Sequence, residues 1–463
     1  MQLKPDYAEV HNNLGNALKD QGKLDEAVAC LHRAIDLKPG YAEAHNNLGT
    51  ALQDQGELQV ALACYRRAVA LNPDFAQAHY NLGNAFNVLG NPDAAVASYR
   101  RALELRPNYA EAYNNLGAAL KEQGNLDDAV ACCRRALELK ADFADAHWNQ
   151  SLLSLLAGDF QRGWAEYEWR WKAKVCQPRD FSQPLWDGRP LQGKTILLHA
   201  EQGLGDAIQF VRYASLVKQR GGTVIVECPG PLSSLVTSCR GIDQVVERGD
   251  PLPAFDVHTP ILSLPRIFQT NLRDIPATVP YLLADPKLVE PWRRKLGPTA
   301  AFQIGIAWRG SPTHGNDRNR SIPLDCFEPL ARRPGVRLLS LQKGAAVEEL
   351  QPVAKRFPIV ELGSGLRDFM DTAAVLTNLD LLITCDTAVA HLAGAVGIPV
   401  WVALPFVPDW RWLLERSDSP WYPTMRLFRQ DRRGDWQGVF RRIEIALDEC
   451  LASPAVRQGP GKK

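Results

Sequence analysis

No run of apolar residues in the chain approaches the length needed to span a bilayer, so a transmembrane helix is excluded. The net charge is +1, which gives no global pull toward nucleic acid or membrane. Met1 to Val10 lack the charged-then-apolar layout of a secretory signal, and export is not expected. The ten cysteines include no C-x-x-C pair; Cys30, Cys64, Cys132 and Cys133 fall beside alanines on helical segments. Small buried thiols in a reducing cytoplasm fit that pattern, with neither disulfides nor a metal site. What remains is ordinary globular composition, 46% hydrophobic and 23% charged, in 463 residues. That is too long for one core, so two or three domains are expected.

The first third repeats itself. Leu14-Gly15, Leu48-Gly49, Leu82-Gly83 and Leu116-Gly117 share one spacing, as do Ala27, Ala61, Ala95 and Ala129, and Ala34, Ala68, Ala102 and Ala136. Pro39, Pro73 and Pro107 close three units. These positions resemble the tetratricopeptide repeat family, which implies stacked helix pairs forming an α-solenoid over residues 1–172. A fifth unit from Ala144 replaces leucine-glycine by Gln150-Ser151 and adds Trp148, Trp164, Trp169 and Trp171, the drift of a last repeat that packs on something different. Leu3-Lys4-Pro5-Asp6-Tyr7 copies Leu37-Lys38-Pro39-Gly40-Tyr41, so Met1 reads as an internal start or an imposed boundary.

Asn13, Asn47, Asn81, Asn115 and Asn149 occupy one register in all five units. In the resembled fold that register lies on the first helix, which lines the concave groove. A row of carboxamides can bond an extended polypeptide whatever its sequence, or can simply bond helix to helix. A similar asparagine row in the repeat arm of O-linked N-acetylglucosamine transferases favours the first reading by analogy.

Residues 173–193 read as an irregular linker, with Pro178, Pro184, Gly188 and Pro190, pinned by Trp186. From Lys194 short β-rich runs alternate with helices, which predicts mostly parallel, doubly wound sheets in two halves, 194–290 and 291–451, facing each other across a cleft. The turn Gly203-x-Gly205 leads into a helix carrying Asp206 at its mouth, and its glycines would let another molecule approach the backbone. Ile208 in the third glycine position argues against a dinucleotide site. In the second half a buried strand delivers Asp386 and Thr387 to a helix start, where Thr387 can cap and the following N–H groups can hold a diphosphate. His391, one turn in, adds a donor or bonds within the protein. Arg309, Arg318 and Arg320 bring fixed positive charge to the loop after the first strand of that half; alone, such residues would read as a solvated face. The proline- and tryptophan-rich stretch from Pro405 to Pro423 reads as interdomain packing ahead of a loop flanking the cleft, Val439–Leu451 as an amphipathic helix, and 452–463 as a disordered tail.

Gly203-Leu-Gly-Asp206, Asn316-Asp-Arg-Asn-Arg-Ser-Ile-Pro323 and Asp386-Thr-Ala-Val-Ala-His391 resemble the signatures of glycosyltransferase family 9, which includes the ADP-heptose:lipopolysaccharide heptosyltransferases. The resemblance covers about residues 190–451. It implies a GT-B fold of two Rossmann-like domains and inverting transfer from a nucleotide-diphosphate sugar without a metal or other cofactor, and the chain has no D-x-D triplet. It places Asp206 as general base and Arg320 at the leaving phosphate; Glu201, nearby in the chain, is an alternative base. Asp386, Thr387, Ala388 and His391 fall at the nucleotide's ribose and phosphates. Gln342, Lys343, Phe369 and Met370 fall near its base. Lysine is common in the family where Arg320 stands, which leaves the donor sugar open, and Ala388 stands where glycine is usual. The leading expectation is a cytoplasmic glycosyltransferase whose repeat arm recruits a polypeptide acceptor. A heptosyltransferase acting on a lipopolysaccharide core and a non-catalytic repeat scaffold are the alternatives.

Overall fold

A computed structural model describes residues 7–452. The copied repeat tail before Tyr7 and the tail after Ala452 lie outside the described residues. The chain divides into two compact units, 1–153 and 154–463, and each is taken by itself.

The first unit is a run of antiparallel helix pairs: α1 (Ala8–Asp20) with α2 (Leu24–Leu37), α3 (Ala42–Asp54) with α4 (Leu58–Leu71), α5 (Ala76–Val88) with α6 (Pro92–Leu105), and α7 (Ala110–Gln123) with α8 (Leu126–Leu139). A ninth helix, α9 (Ala144–Leu156), begins in this unit and ends in the next. Gly22, Gly56, Gly90 and Gly124 turn each pair at φ between 75° and 89°, where a Cβ would be strained. The repeated alanines Ala27, Ala61, Ala95 and Ala129 are wholly buried at the crossings. The leucine-glycine positions are there for contact. A Cβ on Gly83 would lie 2.5 Å from Cε1 of Tyr99, a buried ring whose hydroxyl donates to Asn84 Oδ1 at 2.8 Å. We expect Gly83→Ala to cost about 1–3 kcal/mol through overpacking, against roughly 1 kcal/mol gained in helix propensity. Thermal melting followed by the helical circular-dichroism signal should show an earlier onset. A later onset would mean that the ring yields freely.

The second unit opens with α10 (Phe160–Tyr167), which buries Phe160, Trp164 and Tyr167. Trp164 meets Phe210 and Trp410 edge to face at 6.1 and 5.2 Å, and Phe160 stacks on Trp421 at 5.9 Å. These partners come from both α/β halves. The drifted fifth repeat thus gives its second helix to the C-terminal unit, and its aromatic residues fill an aromatic core in place of the next repeat. This moves the end of the first unit from 172 to 153.

Among the described residues, ten parallel strands follow in two sheets. The first has β1 (Thr195–His199), β2 (Thr223–Cys228), β3 (Gln244–Glu247) and β4 (Val257–Pro260), in the order β3-β2-β1-β4. The second has β5 (Phe302–Ala307), β6 (Val336–Ser340), β7 (Val360–Glu361), β8 (Leu381–Thr384), β9 (Val400–Leu404) and β10 (Met425–Arg429), in the order β10-β9-β8-β5-β6-β7. Central strands such as Leu381–Thr384 and Val400–Leu404 are buried along their whole length, the mark of a sheet covered on both faces. Each sheet winds outward from its first strand and then resumes on that strand's other side. The winding therefore reverses at β1/β4 and at β5/β8, where the carboxyl ends of strands leave a crevice. The glycine turn follows β1, and the Asp386 turn follows β8. Among the described residues, no helix is long and apolar enough to cross a membrane.

Candidate functional site

Both reversal points send a helix toward the same place. Helix α11 (Leu204–Phe210) starts after Gly203, and Asp206 in its first turn accepts the Gly203 N–H at 2.9 Å, closing the turn. The helix Ala388–Ala395 starts after Thr387 and rests on α11. A Cβ on Gly205 would sit 2.9 Å from His391 Cδ2 and 3.6 Å from Ala388 Cα. The reading of that glycine as a landing place for another molecule is therefore corrected: its missing side chain lets two helix starts touch. Thr387 also departs from expectation. Its backbone is extended, but its hydroxyl makes no cap bond and instead faces Thr384 Oγ1, at the end of the preceding strand, at 3.3 Å.

Two helix starts facing each other concentrate partial positive charge, and carboxylates gather there. Asp206 and Asp409 both receive the guanidinium of Arg411, whose Nε donates to Gln209 at 2.8 Å and whose Nη1 reaches Asp409 at 2.7 Å. Burial alone would weaken the charge on Arg411, but Asp409 and Asp206 outweigh it and hold the group more firmly protonated. Asp386 is pushed up to about 6, first by burial and then by Asp409, with Arg320 and Arg411 pulling the other way. Arg320 donates to the backbone oxygen of Asp386 at 3.0 Å and is steadied by Asp317 at 3.2 Å. His391 lies 4.0 Å from Asp386, stacks on Trp412 and bonds Tyr422 through Nδ1 at 3.0 Å. Its burial lowers its basicity far below the usual range, so it sits there neutral.

Asp206, Gly203, Gly205, Arg320, Asp386, Thr387, Ala388 and His391 are thus brought together from two sheets. Other candidates stand on neighbouring loops with their side chains engaged. Arg309 pairs with Glu349 at 2.9 Å, and Arg318 is exposed on the short turn that also carries Arg320. Gln342 accepts from the N–H groups of Trp308 and Arg309 at 3.1 and 3.0 Å, fixing the loop after β5. Lys343 donates to Leu366 O at 2.6 Å, and the buried Met370 sulfur accepts the Asp285 N–H at 3.1 Å. Glu201 is buried, tied to Arg170 at 3.0 Å, and raised by burial to about 7. The stretch from Pro405 to Pro423 holds the overlooked members: Trp410, Trp412, Trp421 and Tyr422 are interior packing, while Arg411 pairs with both Asp409 and Asp206. Arg411 between two tryptophans, with Asp409 just before them, was the available signal for this stretch, though not for its pairing with Asp206.

In the first unit the asparagine row bonds across repeats. Asn47 donates to Asn12, Asn81 to Asn46 and Asn149 to Asn114, each at 2.9 Å, and Asn115 to Tyr80 and Asn84 at 3.1 and 2.9 Å. Asn13 receives a long bond from Asn12. Helix-to-helix bonding is thereby observed, and it uses only part of each carboxamide's four-bond capacity.

Tetratricopeptide repeat models match residues 15–56, 47–110 and 110–143. Protein FlbA of Caulobacter vibrioides is 29% identical over 340 residues, which are 66% of this chain and 55% of FlbA; the match thus spans little more than half of that relative. Among solved structures, YrrB, described as a tetratricopeptide repeat protein with an unusual peptide-binding site, is 22% identical over 37% of this chain and 89% of its own, with a TM-score of 0.32. MamA is 24% identical over 35% of this chain and 94% of its own, also at 0.32. Residues 15–143 are therefore tetratricopeptide repeats, in a chain whose C-terminal part is built on parallel α/β sheets.

Proposed function

We propose that the second unit is an inverting glycosyltransferase of GT-B type, moving a sugar from a nucleotide diphosphate to an acceptor hydroxyl. The observation that carries this reading is the meeting of Asp206, from the reversal point of one sheet, with Arg320 and the Asp386 turn, from the reversal point of the other. Asp206 removes the acceptor's proton as the hydroxyl attacks the anomeric carbon, and Arg320 with the N–H groups opening the Ala388–Ala395 helix steadies the departing diphosphate. Those donors supply positive charge where a cation would otherwise be needed. Arg411 occupies one oxygen of Asp206 in this structure. Transfer therefore requires it to let go, and an arriving diphosphate is the group that would draw it. Gly205 against His391 likewise places the two helix starts in contact, so the donor enters as they part.

The acceptor is a polypeptide held along the first helices of the repeats, where Asn47, Asn81 and Asn149 retain donor and acceptor capacity after bridging their neighbours and Asn115 retains acceptor capacity. The deciding experiment is a panel of nucleotide sugars screened by thermal stabilisation of the full chain, followed by transfer assays with peptide and glycolipid acceptors. Stabilisation by one donor and sugar transfer to a peptide are expected. Stabilisation by none would favour the scaffold reading, which the occupied Asp206 and the touching helices already make concrete.

A further inference from the structure

We infer that Arg170 is a positioning residue for the Asp206 loop, held outside both sheets by the turn that follows α10. The inference rests on the reading of Asp206 as the base. Arg170 lies in the turn Glu168–Trp171 and is wholly buried. Its Nη2 donates to Glu201 Oε1 at 3.0 Å and to Ser263 Oγ at 2.7 Å; its Nη1 donates to Glu168 Oε1 at 2.9 Å and to Tyr167 O at 3.2 Å. Tyr167 OH donates to Gln202 Oε1 at 3.2 Å, and Gln202 Nε2 donates to Cys176 Sγ at 3.3 Å. Glu201 and Gln202 are the two residues just before Gly203. Both are therefore gripped by a segment belonging to neither sheet.

Burying an ion pair is a poor way to gain stability, since the desolvation of two charges offsets most of their attraction. What such a pair supplies is direction: a planar guanidinium with four acceptors admits one placement of Glu201. Among the described residues Glu201 Oε2 has no hydrogen-bond partner, and burial raises the carboxyl while Arg170 pulls it down, so the ionised form is kept at a cost, by Arg170 against burial. Beyond Glu201 and Gln202 the loop is held from its far end, by Arg411 on Asp206 and by Gly205 against His391, and those two residues set its near end. Gly203 has no side chain, and Asp206 closes back on the Gly203 N–H. Once Arg411 is drawn off by a donor, the aim of the Asp206 carboxylate depends on where Glu201 and Gln202 set the near end of this loop, and a displacement of about 1 Å at a reacting group can cost roughly 100-fold in rate.

The test uses the full chain with Arg170→Lys, Glu201→Gln and Arg170→Ala, the last being the one most exposed to misfolding. Amide hydrogen exchange of 199–206 should quicken at least about tenfold in the first two variants, with β5, β8 and β9 unchanged. With a donor in hand, kcat should fall about 10- to 100-fold while the donor KM stays within about threefold, and Arg170→Lys should retain more activity than Arg170→Ala. Unchanged exchange at the loop in a folded variant, or quickening spread evenly through the first sheet, would overturn the inference. A wild-type chain that transfers no sugar would defeat the transferase reading, and the exchange measurement would still decide whether Arg170 sets the loop.

Discussion

Asp206→Asn is expected to lower sugar transfer by about 10²- to 10⁴-fold, the range in which a positioned general base acts, while leaving donor binding nearly intact. The substitution keeps the side chain's shape, and an amide oxygen can still accept the Gly203 N–H that closes the turn. It removes the charge that Arg411 shares between Asp206 and Asp409. With Asp409 its one remaining partner of opposite charge at the site, beside the neutral Gln209, Arg411 leaves its place more easily, so donor affinity should hold or rise slightly. The measurement is kcat and donor KM under saturating acceptor, with thermal melting to confirm the fold. Near-normal turnover would remove Asp206 from the role of base. Glu201 is then not a ready substitute, since one of its oxygens is committed to Arg170 and the carboxyl is buried.

Much of this arrangement could be read from residue patterns, and what escaped did so for identifiable reasons. The repeat array was legible because each helix pair must present the same small residues at the same crossings, so the spacing of Leu48-Gly49 and Ala61 carries the geometry directly. Strands β5, β8 and β9 were legible because a strand buried on both faces must be a short apolar run. Strand β10 was missed: in Met425-Arg-Leu-Phe-Arg429 charge interrupts the apolar run at an edge of the sheet, and two prolines shortly before it suggest a loop. Helix α10 shows the same limit from the other side. Its sequence continues the repeat rhythm, and only its tryptophans say that the surface it meets is different. At the site, motif positions gave Asp206, Arg320 and Asp386, but not what neutralises them. Arg411 lies far along the chain from Asp206, and nothing local to either residue announces the pair. Gly205 was visible as a glycine, yet whether it admits a ligand or a neighbouring helix depends on a contact that only the folded chain supplies.

Removing the guanidinium that touches the Asp386 turn should have the second large effect. Arg320→Ala takes away a fixed donor beside the opening of the Ala388–Ala395 helix, and a loss of about 10²- to 10³-fold in kcat is expected if it stabilises the charge of the departing diphosphate. Arg320→Lys is the informative companion. A lysine there restores the charge but not the two-sided grip, because Arg320 donates to Asp386 O through one nitrogen and to Asp317 through another. If charge at the phosphate is what matters, lysine should recover most of the rate. If the matter is holding the turn in place, lysine should do little better than alanine, and both variants should lose donor-induced thermal stabilisation. A third outcome, full activity in Arg320→Ala, would separate this turn from catalysis and leave Arg411, the cation on Asp206, to serve a diphosphate.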